Sequence, residues 1–188
     1  MSGGGLDPQL TDAGASLTIF VIGASGDLAC KKTYPSLYEL FLLELLPPLT
    51  SIVGYARSAS TDDVMRTKWG GFLKAGTDAQ RAAFLSLCSY RAGGYDDEES
   101  FGKAATECAG LEAARSVSGR ANRIFYFAIP PSVFEASAKT VSNAGRSSKG
   151  WNRIVVEKPF GRDSESSAAL GRALAQYFDE SSIYRIDQ

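Results

Sequence analysis

Gly23, Ala24, Ser25 and Gly26 follow directly on the apolar, β-branched run Leu17, Ile19, Phe20, Val21, Ile22, and Asp27-Leu28-Ala29 come next. Strand, glycine turn and helix start, in that order, form the front end of a nucleotide-binding βαβ unit. Glycine lets the chain turn sharply and lets the backbone approach a pyrophosphate. The unpaired N–H groups at the next helix start can donate to its oxygens. The spacing is G-x-x-G-x-x-A, short of the three-glycine fingerprint, so a purely structural tight turn stands as the alternative.

A second group of residues addresses the other end of such a ligand. A domain that binds NAD usually carries an Asp or Glu after its second strand to hold the ribose 2′-hydroxyl. This chain reads GYARS there, with Arg57 in place of the acid. A guanidinium favours a 2′-phosphate by charge and by two-point hydrogen bonding, which points to NADP over NAD. A solvated surface arginine is the plain alternative. Asp27 is expected to cap the helix start and orient the loop, while Lys31 and Lys32 could bring positive charge to the phosphates or simply face solvent. Further along, Ala128-Ile129-Pro130-Pro131 makes a rigid, donor-poor ledge where a nicotinamide ring would lie. Glu157-Lys158-Pro159 closes another strand at the same edge, with Lys158 held extended by the proline. Such a lysine would meet an anionic or polyhydroxyl substrate, unless it is only a loop residue.

The elements that must position these groups alternate between strands and helices. Strands are expected near Ser16–Ile22, Ser51–Ala56, Ser89–Ala92, Arg123–Ile129, Arg153–Glu157 and Ile183–Asp187. Between them the pattern predicts a short turn over Leu28–Lys32 and a helix from Pro35 to Leu45. Further helices are expected to reach Lys74 from a cap in Ser60-Thr61-Asp62-Asp63 and Leu87 from a cap in Thr77-Asp78, and to run from Asp97 to Leu111, Val133 to Ala144 (capped by Ser132) and Ser164 to Phe178. This alternation predicts an α/β, Rossmann-like, doubly wound parallel sheet of about six strands, ordered 3-2-1-4-5-6, with helices on both faces. Ligand would bind at the carboxyl ends of the strands. Residues 1–15 read as a flexible tail and residues 16–188 as one NADP-binding domain.

Composition narrows the classes. The chain has 188 residues, a net charge of −1 and no histidine, which removes the commonest general base and the commonest metal ligand. Mixed charge gives no argument for nucleic acid or membrane partners, and no apolar run is long enough to span a bilayer. Cys30, Cys88 and Cys108 are odd in number and lack CxxC spacing. They fit reduced thiols in a cytoplasmic protein and no metal site.

With these residues in hand, the chain resembles the amino-terminal coenzyme domain of the glucose-6-phosphate dehydrogenase family. The resemblance rests on GASGDLACKK (Gly23–Lys32), IVGYARS (Ile52–Ser58), YRAGGYDD (Tyr90–Asp97), FAIPPSVFE (Phe127–Glu135), WNRIVVEKPFGRD (Trp151–Asp163) and IYRID (Ile183–Asp187). It implies NADP-dependent oxidation of glucose 6-phosphate to 6-phosphogluconolactone, the entry to the pentose phosphate pathway. It also implies a complete enzyme that is a homo-oligomer. By position, Gly23, Ser25, Gly26, Asp27 and Leu28 match the coenzyme loop, Lys32 the last basic residue of the family's lysine run, and Arg57 the reader of the 2′-phosphate. Lys158 matches the lysine between substrate and coenzyme, and Asp187 the acid that orients a catalytic histidine. Ala24, Ile129, Pro130 and Glu157 line the same expected coenzyme crevice.

The departures are specific. Cys30 stands for the first lysine of the run, Phe134 for a tyrosine near the coenzyme, and Gln188 for a histidine. The catalytic histidine and most of the substrate site belong to a second domain that this sequence does not contain. The chain alone is therefore expected to bind NADP and not to turn over sugar phosphate, with apolar surface exposed where that domain would pack. Two other readings stay open: the coenzyme domain of a glucose–fructose oxidoreductase-like enzyme, and a nonenzymatic NADP-binding module.

Overall fold

The computed structural model describes residues 12–157 and 164–186, and the side chains of 164–167 lie outside that description. Six strands run β1 (Ser16–Ile22), β2 (Thr50–Ala56), β3 (Cys88–Ala92), β4 (Ala121–Phe127), β5 (Asn152–Glu157) and β6 (Ile183–Ile186). The helices are α1 (Tyr34–Leu42), α2 (Asp62–Gly70), α3 (Asp78–Ser86), α4 (Glu98–Arg115), α5 (Phe134–Ala144) and α6 (Ser164–Ala175). All five strand pairings are parallel, and the sheet order is β3-β2-β1-β4-β5-β6.

The order follows from chirality. Right-handed crossovers running from β1 outward to β3 place their helices on one face, and those running from β4 to β6 place theirs on the other. β1 is buried along its whole length because it serves both cores. Its Leu17, Ile19 and Val21 pack with Tyr34, Leu37 and Tyr38 of α1, Trp69 of α2 and Phe84 of α3. Phe20 and Ile22 pack on the opposite side with Phe101 of α4, Phe134 of α5 and Leu174 of α6. On the first face, among the described residues, no helix covers β4 and β5. Ile124, Tyr126, Trp151 and Val155 line an apolar groove of about 510 Å³ there, together with Leu37 and Leu40 of α1.

Several element ends differ from expectation, each for a local reason. The first helix stops at Leu42 and not at Leu45. Glu44 takes φ +56° and the Leu45 and Glu44 amides fold back onto the carbonyls of Leu40 and Phe41. That is a helix stop ordinarily marked by glycine, and a glutamate hides it. Ala29–Thr33 form a π-helical turn that merges into α1 without a break. α2 ends at Gly70, earlier than Lys74. β4 begins at Ala121 and ends at Phe127, because its polar opening residues pair inside the protein and its last expected residues, Ala128 and Ile129, already turn toward the crevice. Ser132 does not cap α5: it lies within a 3₁₀ turn, and no side chain caps that helix start. Thr61, Thr77 and Asp97 do cap their helices, Thr77 in a reciprocal box with Gln80.

Candidate functional site

The glycine loop is fastened to β2 and closes on itself. The amides of Gly23 and Ala24 donate to the Tyr55 carbonyl at 2.8 and 3.3 Å, and the Gly26 amide donates back to the Gly23 carbonyl at 3.0 Å. Gly23 has φ +91°, and a Cβ there would collide with the Ala128 carbonyl oxygen and sit 2.7 Å from Ile129 Cγ2. Only glycine lets β1 turn this close to the end of β4. A Cβ on Gly26 would meet nothing nearer than the Gly23 carbonyl oxygen at 3.2 Å; Gly26, Asp27 and Leu28 are exposed. The Cys30 amide is the first to find a carbonyl four residues back, at Gly26 (3.0 Å), which leaves the first-turn amides before it without one within the helix.

Helix α2 straps this loop from behind. Trp69 Nε1 donates to the Ala24 carbonyl at 3.0 Å, and Lys68 Nζ donates to the Ser25 carbonyl at 2.7 Å. Trp69 stacks on Tyr34 at 4.1 Å between ring centroids. The close approach is possible because position 54 is glycine: a Cβ there would lie 2.7 to 2.9 Å from Tyr34, Ala24 and Trp69. Asp27, expected as a cap, is instead paired with Lys31 one turn on, at 2.8 Å. The hydrogen bond and charge of Lys31 hold its carboxyl below the usual carboxylate range. Lys32 is exposed on the same turn. Cys30 is buried under the loop, with burial pushing its thiol up.

At the end of β2, exposed Arg57 lies 5.3 Å over the ring of Tyr95. Burial pushes the Tyr95 phenol up, against the charge and hydrogen bond of Arg57. Tyr90 Oη donates to the Ser58 carbonyl at 2.5 Å, and burial pushes its phenol up against the opposing effect of Ser25. Ser25 therefore touches α2 through its carbonyl, and Ala24 beside it is bonded to Tyr55, two residues before Arg57.

On the other side of the loop, Gly26, Asp27, Leu28, Ile129, Pro130 and Glu157 line one open cleft of about 530 Å³ at the carboxyl ends of β1, β4 and β5. That volume suits a small-molecule or cofactor site. Phe134 forms part of its wall, buried edge-on against Phe127. Glu157 is 8% exposed and accepts a hydrogen bond from Tyr126. Lys158 and Asp187 lie outside the described residues; Glu157 and Ile186, directly before them, are paired in register across β5 and β6. The structure thus brings the loop, the ledge and Glu157 to one cleft, with Arg57 at the far end of the same sheet edge. Sequence reasoning missed Lys68, Trp69, Tyr90 and Tyr95. The last two sit in a motif already noted, YRAGGYDD, but their partners are more than thirty residues away.

The glycine turn at the strand-order reversal, the exposed first-turn amides and the adjoining cleft define a dinucleotide-binding domain of the Rossmann type. Its residues fit such a ligand, because the Gly23 turn has no room for a side chain and the loop beyond it opens on the cleft. The family model described as glucose-6-phosphate dehydrogenase, NAD binding domain, matches residues 20–188, and the chain belongs to that family. It is 42% identical to the chloroplastic glucose-6-phosphate 1-dehydrogenase of Nicotiana tabacum over 188 residues, covering 97% of this chain and 31% of the relative. It is 45% identical to the Takifugu rubripes enzyme over 172 residues, covering 90% and 32%. A solved glucose-6-phosphate dehydrogenase in complex with glucose 6-phosphate superposes with a TM-score of 0.86 at 38% identity, covering 92% of this chain and 36% of that one. The chain spans about a third of the length of these relatives. Relatives in Arabidopsis thaliana include chloroplastic and cytoplasmic forms.

Proposed function

We propose that this chain is the coenzyme domain of an NADP-dependent glucose-6-phosphate dehydrogenase, which oxidises glucose 6-phosphate to 6-phosphogluconolactone. The observation that carries the reading is the single cleft shared by Gly26–Leu28, Ile129–Pro130 and Glu157, with a guanidinium and no carboxylate directly after β2. NADP⁺ supplies the hydride acceptor when bound. The first-turn amides of the loop bind its pyrophosphate, Arg57 binds the adenosine 2′-phosphate, and Ile129 and Pro130 present a flat apolar ledge to the nicotinamide. Glu157 is fixed at the rim of the cleft by its bond with Tyr126.

Lys158 is assigned to positioning substrate against the ring, and Asp187 to orienting a histidine base, both on the matching motifs. That base lies in the part of the relatives beyond this chain's match, and a positioned base supplies roughly 10²–10⁴-fold of the rate. The 188-residue chain therefore binds coenzyme without turning over sugar phosphate. The complete enzyme is a homo-oligomer, acts on a small soluble substrate without nucleic acid or membrane, and works in a reducing compartment suited to three buried thiols, the cytoplasm in our reading.

Titration of the 188-residue chain with NADP⁺ and NAD⁺ tests this. The expected result is tighter binding of NADP⁺, a preference that Arg57→Ala abolishes, and no NADPH on adding glucose 6-phosphate. Equal affinities in both proteins would remove the coenzyme assignment, and measurable turnover would remove the division of labour.

A further inference from the structure

The Ala24-Ser25 step is held from two directions, and the second of them carries an unassigned cation. Ser25 follows Ala24, whose amide donates to the Tyr55 carbonyl at 3.3 Å, at the end of β2 that carries Arg57. The Ser25 carbonyl accepts from Lys68 Nζ at 2.7 Å. Lys68 and the end of β2 thus flank the Ala24-Ser25 step of the glycine loop.

Lys68 is not needed there as a strut. The neighbouring Trp69 already fixes the loop through the Ala24 carbonyl, from a fully buried ring stacked on Tyr34. The lysine itself is exposed, and its ammonium has three donors, of which the Ser25 carbonyl takes one. Its charge is felt across the loop: it opposes the burial that pushes the Cys30 thiol up, and it adds to the Lys31 hydrogen bond and charge that hold the Asp27 carboxyl down. An ammonium on a flexible stem can keep one bond to the carbonyl and aim another at an anion beside it.

We propose that Lys68 is a second cation of the coenzyme site, pairing with Arg57 across the Ala24-Ser25 step to select the adenosine 2′-phosphate. This rests on the NADP reading above and adds a specificity-determining residue from an element, α2, outside the glycine loop and the end of β2. Two cations on one dianion also explain how discrimination survives at an exposed arginine that is partly engaged by an aromatic ring.

The test measures binding of adenosine 2′,5′-bisphosphate, 5′-AMP, NADP⁺ and NAD⁺ to wild type, Lys68→Gln, Lys68→Arg and Arg57→Ala, with thermal melting of each. Lys68→Gln should weaken the two 2′-phosphorylated ligands roughly tenfold, the worth of one charge-assisted hydrogen bond, and leave 5′-AMP and NAD⁺ unchanged. Lys68→Arg should restore most of the loss. Equal weakening of all four ligands, or a lowered melting point with no change in ligand ratio, would reduce Lys68 to a structural strap and overturn the proposal. If Lys68→Gln leaves the preference intact while Arg57→Ala removes it, this inference falls and the NADP reading stands. If wild type binds none of the four, both fall.

Discussion

The guanidinium of Arg123 bonds both carboxylate oxygens of Glu112, through Nε and Nη2, at 2.9 Å each. The pair is buried, with 3% and 2% of the side chains exposed. It joins β4 to α4, and the remaining groups are occupied: Thr18 donates to Glu112 at 2.6 Å, and Arg123 donates to the carbonyls of Gly145 and Ala105. This network sits at the amino ends of the strands, opposite the cleft. Glu112→Ala would strand a buried cation and should lower unfolding stability by about 3–5 kcal/mol, read by urea denaturation. Coenzyme affinity at low temperature should be unchanged in whatever fraction stays folded. A loss below about 1 kcal/mol would mean that water reaches the guanidinium and replaces the carboxylate.

Tyr95 fixes the arginine that the coenzyme assignment depends on. Replacing it with leucine removes the ring face under Arg57 and leaves the guanidinium free to rotate. NADP⁺ affinity should drop about two- to fivefold, the worth of a partly exposed cation–π contact. NAD⁺ affinity should hold. Isothermal titration reads both, and a gain in NADP⁺ affinity would show that the ring competes with the phosphate.

The buried thiols set an alkaline limit. Burial pushes Cys88 up to about 12 and Cys108 up to about 11, from an ordinary 9.0. Tyr55 is likewise raised to about 12 by burial. A folded-state value above the unfolded one means that the unfolded chain loses protons first as pH rises. The stability these groups contribute is then full below about pH 9 and is lost progressively toward pH 11–12. Melting temperature should be flat from pH 7 to 8.5 and fall steeply above 9. A thiol reagent at pH 8 should label none of Cys30, Cys88 and Cys108 until denaturant is added, and rapid labelling of any of them would contradict their burial.

Glu44 holds a backbone conformation in which a glutamate is strained. Glu44→Gly should raise stability by about 1 kcal/mol, visible as a higher melting point, because the left-handed conformation carries a Cβ penalty that glycine escapes. A lower melting point would mean that the glutamate side chain offsets the strain.

The strand order could be read from the chain because it follows from local facts: apolar runs of strand length, helical spacing between them, and the glycines after the first strand. The cleft was legible for the same reason, since Gly26–Leu28, Ile129–Pro130 and Glu157 each sit where a strand gives out, and parallel strands give out on one edge. The illegible parts depend on distance. Lys68 and Trp69 read as one exposed and one buried position of an amphipathic helix, and nothing in their spacing announces carbonyls more than forty residues earlier. The stop at Leu42 was missed because glutamate occupies a glycine's place. Ser132 had the right type for a cap, but two prolines before it imposed a 3₁₀ turn.

Tyr55 gives its carbonyl to the amides of Gly23 and Ala24 and its hydroxyl to the carbonyl of Gly94, one residue short of the ring beneath Arg57. The glycine turn and the loop that seats Arg57 are therefore anchored to a single side chain and its own peptide group. On the function proposed above, coenzyme preference can be retuned in the Gly93–Asp97 segment, away from the cleft beside Gly26, as long as that shared anchor is left alone.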